Sequence, residues 1–149
     1  MSSSHAHFTH LLRVRYGECD PQNVVFNARY ADYADIAATE FMRAIWGDYA
    51  SLVAQGIENQ VVNLNISWKS SAKFDDVIAI SVNASRVGNT SFSLALHMKE
   101  INSGRNIAEA EVVYVMVDAT HFNKMPIPEH LKDALEMGAP GTVINHAGL

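Results

Sequence analysis

A carboxylate, Asp20, stands in an irregular stretch just ahead of the only long helical pattern in this chain. The stretch reads Arg15-Tyr16-Gly17-Glu18-Cys19-Asp20-Pro21-Gln22-Asn23-Val24-Val25-Phe26-Asn27-Ala28-Arg29-Tyr30. The first N–H groups of a helix lack internal partners and carry partial positive charge. Set beside a carboxylate, they make a place where an oxyanion is stabilised and a base or nucleophile is delivered. The same spacing also fits a plainer role, in which Asp20 caps its own turn through the backbone, as Asp before Pro does. Spacing leaves both open.

Other reactive side chains offer less. Cys19 lies between Glu18 and Asp20, whose charges disfavour a thiolate, and it falls on the other side of an extended chain from Asp20. It reads as a small packed residue. His5, His7 and His10 lack the H-E-x-x-H pattern or a clustered acid and read as a mobile tail, so no metal site is expected. No G-x-S-x-G motif is present, which removes the serine-hydrolase route.

The elements that must position Asp20 follow from periodicity. Phe8 to Tyr16 alternates as a strand, with Leu12, Val14 and Tyr16 on its dry side. Pro21 and Asn23 break it, because one fixes φ and the other tolerates a left-handed turn. From Tyr30 the period changes: Tyr30, Tyr33, Ala34, Ala37, Ala38, Phe41, Ala44 and Ile45 follow the helical rule, with Asn27 as N-cap and Gly47 beyond the end. A short helical piece over Tyr49 to Gln55 ends at Gly56. Ile57 to Asp118 reads as sheet, with turns at Val87-Gly88-Asn89-Thr90 and Asn102-Ser103-Gly104-Arg105 that make the last three strands a meander. Pro126 and Pro128 introduce a helix over Glu129 to Met137, and a loose end follows.

Composition bounds the function. At 149 residues the chain fits one domain, and 48% hydrophobic against 18% charged residues excludes intrinsic disorder. With 11 Lys+Arg against 16 Asp+Glu there is no global basic character, so nucleic acid is not an expected partner. No apolar run reaches the ~18–20 residues of a membrane span. The opening Met-Ser-Ser-Ser-His-Ala-His lacks a secretory pattern, and the lone cysteine gives no argument for an oxidising compartment. A cytoplasmic protein is expected.

Residues 18–30 resemble the signature of the 4-hydroxybenzoyl-CoA thioesterase family: an acid-x-Asp, a short turn, a hydrophobic pair, an aromatic residue or Asn, then a helix bearing Tyr. Asp35-Ile36-Ala37-Ala38-Thr39-Glu40-Phe41-Met42-Arg43 is similar to that family's helix, especially in its tol–pal type acyl-CoA thioesterases. Phe74-Asp75-Asp76, Arg86 to Phe92 and Pro126-Ile127-Pro128-Glu129 fit the same plan, so the resemblance covers roughly residues 8–137.

The resemblance implies an α+β hotdog fold, an antiparallel sheet of about five strands wrapped around one long central helix. It implies a single domain over residues 1–149, with a core at about 8–137 and flexible tails. It also implies an acyl-CoA thioesterase, dimeric or tetrameric as a dimer of dimers, with sites at the subunit interface. Coenzyme A is then part of the substrate, and no separate cofactor is expected. Carried over by position, Asp20 is the catalytic carboxylate, as base or nucleophile, and Asn27 offers its backbone N–H to the thioester carbonyl. Val25, Phe26 and Tyr30 contact substrate, the last two walling the acyl pocket. Arg86 would meet the phosphates across a dimer, ahead of Lys69, Lys73 and Arg105, and Thr90 and Ser91 would bind the pantetheine arm. Two positions depart from the family: Asn23 stands where Gly is frequent, and Asn27 where tol–pal members commonly carry His. An acyl-carrier-protein thioesterase and a non-catalytic thioester-binding or scaffold protein are the alternatives.

Overall fold

The apolar stripe that begins at Tyr30 forms the longest helix, α1 (Arg29–Trp46), in a computed structural model that describes residues 7–149. Ahead of it stand β1 (Phe8–Arg13) and a single 3₁₀ turn over Tyr16–Glu18. After it come α2 (Tyr49–Ala54), β2 (Ile57–Trp68), β3 (Val77–Val87), β4 (Ser91–Glu100), β5 (Asn106–Asp118), α3 (Glu129–Met137) and β6 (Val143–His146). Tyr30, Tyr33, Ala34, Ala37, Ala38 and Phe41 are all buried, as the helical spacing requires.

The strands form one sheet in the order β2-β5-β4-β3-β1-β6. Every pairing is antiparallel except β1 with β6, which is parallel. Phe92, Leu94, Leu96 and Met98 of β4 alternate into the core, and Ala108, Ala110, Val112, Tyr114 and Met116 of β5 do the same. Against this face packs α1, where the Phe8 and Phe41 rings meet edge to face at 5.6 Å. Trp46 closes the far end, its ring against Phe92 and its indole N–H donating to the Leu131 carbonyl at 3.2 Å. The helix therefore spans the sheet from the Asp20 loop to the β3–β4 hairpin.

Four expectations change. The sheet has six strands, not about five, and three α-helices stand beside it among the described residues. The sixth strand comes from the end expected to be loose: β6 pairs along β1 from Thr9↔Val143 to Leu12↔His146, and Arg13 Nε donates to the Ala147 carbonyl at 2.9 Å. His10 is no tail residue, since β1 carries it into the core at 1% exposure; His5 lies outside the described residues. Tyr16 leaves the dry side of the strand, because the 3₁₀ turn rotates it out against the Phe74 ring at 5.9 Å.

One strand leaves most of its apolar residues bare. Val61, Val62, Leu64 and Trp68 of β2 are all exposed, because β2 is an edge strand and a bulge near Val62 breaks its alternation.

Candidate active site

The Asp20 loop is a tight hairpin-like tip. Asp20 N–H donates to the Val24 carbonyl at 2.9 Å, and Asn23 N–H donates back to the Asp20 carbonyl at 2.9 Å. Asn23 makes this closure by adopting φ 65°, the left-handed conformation that Asn tolerates better than most residues. Asp20 Oδ1 accepts from Gln22 N–H at 2.8 Å, so the turn-capping role is real. It occupies one carboxylate oxygen; Oδ2 has no hydrogen-bond partner among the described residues.

Below the tip, Cys19 and Val25 pair in an isolated bridge, and Phe26 N–H donates to the Glu18 carbonyl at 2.9 Å. Val25 N–H donates to the Ala72 carbonyl at 2.9 Å, and Ala72 N–H donates to the Tyr30 hydroxyl at 3.2 Å. Ala72, fully buried in the β2–β3 connection, thus ties the loop and the first turn of α1 to one point.

The helix begins differently from the expectation. Its N-cap is Ala28, whose φ of −70° is already helical, and no side chain caps it. Arg29 N–H bonds to the Phe26 carbonyl at 2.9 Å, so a 3₁₀-like turn leads into α1 before Asn27 can act as a cap. Two donors are left over: the N–H groups of Asn27 and Ala28 have no acceptor among the described residues.

Asp20, Asn27, Val25 and Tyr30 line one cleft of about 300 Å³, together with Gln22, Val24 and the segment Trp68 to Ser71. Tyr30 contributes a buried wall, its ring edge to face with Trp68 at 6.5 Å. Burial raises its hydroxyl pKa, outweighing the opposing bond from Ala72 N–H, so at neutral pH it stays a neutral phenol. Phe26 does not line the cleft; it is 47% exposed. Chemically, the cleft brings together a carboxylate with one unbonded oxygen, Asn27 with its unpaired N–H, and the rings of Tyr30 and Trp68.

Arg86, Thr90 and Ser91 do not reach it. Arg13 pairs with Val77 at the start of β3, and Arg86 lies nine residues further along that strand, roughly 30 Å away at β-strand rise. There Arg86 Nη2 donates to Ser91 Oγ at 3.0 Å. A Cβ on Gly88 would sit 3.1 Å from the Ser91 carbonyl oxygen and 2.8 Å from the flexible tip of Arg86, so the turn closes tightly here. The cation that does line the Asp20 cleft is Lys69, one of the lesser sequence candidates. Arg105 instead braces the same segment, donating to the Ser71 carbonyl at 2.8 Å.

Residues 14–135 match the model of the thioesterase-like superfamily. The chain belongs to that superfamily. Acyl-CoA thioester hydrolase YbgC of Escherichia coli is 26% identical over 121 residues, 80% of this chain and 89% of its own length. A solved 1,4-dihydroxy-2-naphthoyl-CoA thioesterase from Synechocystis superposes with TM-score 0.78 at 16% identity, over 86% of this chain and 94% of that one. A 4-hydroxybenzoyl-CoA thioesterase variant crystallised with 4-hydroxybenzoyl-CoA gives TM-score 0.78 at 20% identity, over 86% and 97%. The fold is therefore the hotdog thioesterase fold, built here with six strands.

Three residues at the site carry no chemical signature in the sequence: Ser70, Ser71 and Ala72 come to it only through their place beside α1, next to Trp68 and Lys69. Glu18 stands within the motif, yet its side chain is buried and fully bonded. A charged residue in a segment otherwise turning toward solvent, three residues after an arginine, was the available signal.

Proposed function

We propose that this thioester hydrolase acts on acyl-CoA, releasing the free acid and coenzyme A through Asp20. The observation that carries the reading is that Asp20, with one carboxylate oxygen unbonded, shares a cleft with the unpaired N–H of Asn27 at the entrance to α1. A thioester carbonyl is already electrophilic and a thiolate is a fair leaving group. A carboxylate acting on water, or attacking directly, then suffices when helix-end donors hold the carbonyl oxygen as it gains charge. Asn27 does this through its backbone, so the absence of a histidine side chain at that position costs nothing in this step. The route uses no cofactor beyond the coenzyme A of the substrate itself.

In this reading α1 is the central helix about which the sheet wraps, within a single domain. The bare edge of β2, with Val61, Val62, Leu64 and Trp68, joins two chains. An antiparallel join at that edge brings the hairpin end of one chain, with Arg86, Thr90 and Ser91, toward the Asp20 end of its partner. Arg86 and Lys69 then meet the coenzyme phosphates. Among the described residues no helix is long and apolar enough to cross a membrane. We place the enzyme in the cytoplasm, where its lone cysteine stays reduced.

The test is thiol release from short, long and aromatic acyl-CoA esters, comparing wild type with Asp20→Asn. Turnover of one ester class and a loss of about 100-fold or more in the variant is expected, the scale of a lost acid–base group. Retained turnover in the variant would move the chemistry away from Asp20. Wild-type turnover of carrier-protein esters alone, or saturable binding without thiol release, would replace the acyl-CoA reading.

A further inference from the structure

Glu18 is the one acidic side chain among the described residues that is buried, at 8% exposure, and it stands two residues before Asp20. Its Oε1 accepts from Arg15 N–H at 2.8 Å and from the Tyr33 hydroxyl at 2.8 Å. Its Oε2 accepts from Arg15 Nε at 3.1 Å and Arg15 Nη2 at 2.8 Å. Four donors leave it no capacity to bind substrate, and it is not among the residues that line the cleft.

Two of its connections matter for the cleft. Through its backbone carbonyl, Glu18 holds Phe26 N–H, which closes the base of the Asp20 loop. Through its side chain it holds Tyr33, a buried residue of the first turns of α1 whose ring packs edge to face on Tyr30 at 5.7 Å. The loop that carries Asp20 and the helix that carries the free donors are thus joined by one carboxylate.

We propose that Glu18, acting through Tyr33, is a positioning residue that sets the distance and angle between Asp20 and the N–H groups at the start of α1. The proposal rests on Asp20 being the reacting carboxylate. Hydrolysis needs the base or nucleophile and the oxyanion donors to be in register with one carbonyl, and small misplacements cost rate rather than binding. A rigid tie between two separate elements is the means of holding that register. Arg15 alone cannot do it, because Arg15 belongs to the same loop segment as Glu18. The state of the tie is also stable around neutrality. Burial opposes ionisation of Glu18, but the bonds from Arg15 N–H, Tyr33 and the Arg15 guanidinium outweigh it and hold the carboxyl below the usual range. Burial first, and then the Glu18 contact, push the Tyr33 hydroxyl upward, so it keeps its proton to donate.

The experiment measures kcat and KM for the best acyl-CoA ester in wild type, Tyr33→Phe, Asp20→Asn and the double variant, well below each melting temperature. Tyr33→Phe removes one oxygen and keeps the ring, so the core survives; Glu18→Gln is run alongside where it folds. We expect Tyr33→Phe to lower kcat roughly tenfold with KM within about twofold. In the Asp20→Asn background it should have no further effect on the residual rate, since there is no carboxylate left to position. Unchanged kcat in Tyr33→Phe, with Asp20→Asn inactive, overturns the positioning role and leaves the Asp20 reading intact. An undiminished tenfold loss in the double variant overturns it too, because Tyr33 would then act independently of Asp20. Full activity in Asp20→Asn defeats the Asp20 reading, and the positioning role with it.

Discussion

Nε2 of His10 in β1 lies 3.0 Å from Nδ1 of His146 in β6, while Nδ1 of His10 is buried without a partner among the described residues. One ring must donate and the other accept, which requires at least one neutral imidazole. Burial, and then the nearby His146, lower the His10 pKa below its ordinary 6.5, with Glu40 of α1 opposing. A base with a depressed folded-state pKa contributes stability in full above 6.5, and that contribution is lost as the pH falls through the lower folded value. Thermal melts should therefore show wild type losing more melting temperature from pH 7 to pH 5 than His10→Gln, which cannot titrate. Parallel pH profiles for the two proteins would refute the link.

The turn at Asn23 gives a second expectation. At φ 65° glycine is free of strain, whereas a β-branched side chain pays about 1–2 kcal/mol. Asn23→Gly should keep both melting temperature and turnover. Asn23→Ile should lose stability by about that amount and lower kcat, since Asp20 and Val24 close the same turn. Denaturant titration with kinetics on the same samples decides it, and equal behaviour of the two variants would mean the turn does not depend on this conformation.

The exposed apolar edge of β2 predicts an assembly. Leu64→Asp places a charge on that edge without touching the core, because Leu64 is exposed in the single chain. Sedimentation velocity should find wild type associated and the variant monomeric, with hydrolysis lost in the monomer. A monomeric wild type with full activity would dismiss a shared site.

Arg86 supplies the fourth expectation. A charge-assisted contact with phosphate contributes roughly 1.5–3 kcal/mol, so Arg86→Ala should raise KM for acyl-CoA about tenfold or more and leave kcat nearly unchanged. Rising ionic strength should raise the wild-type KM and narrow the gap between the two proteins. A variant whose KM matches wild type at low salt would remove Arg86 from coenzyme binding.

Much of this protein is written locally. The spacing from Tyr30 to Ile45 specifies a helix and its buried face, and the alternation in Phe92 to Met98 specifies which side of β4 is dry, because burial of a periodic face is the dominant local driving force. Asn23 marks its turn by its own backbone tolerance. The motif around Asp20 likewise stands in consecutive residues, so the candidate carboxylate and the helix entrance are legible together.

The partners those residues meet are decided elsewhere. That β6 pairs with β1 across more than a hundred residues, that Ala72 receives both Val25 and Tyr30, and that Tyr33 reaches Glu18 are consequences of chain closure, which no local period encodes. His10 is the sharpest case: polar by type and near the chain start, it is buried because β1 lies between β3 and β6. Arg86 and Asp20 are set at opposite ends of the sheet for the same reason, since antiparallel register, not sequence distance, determines which ends of the strands coincide.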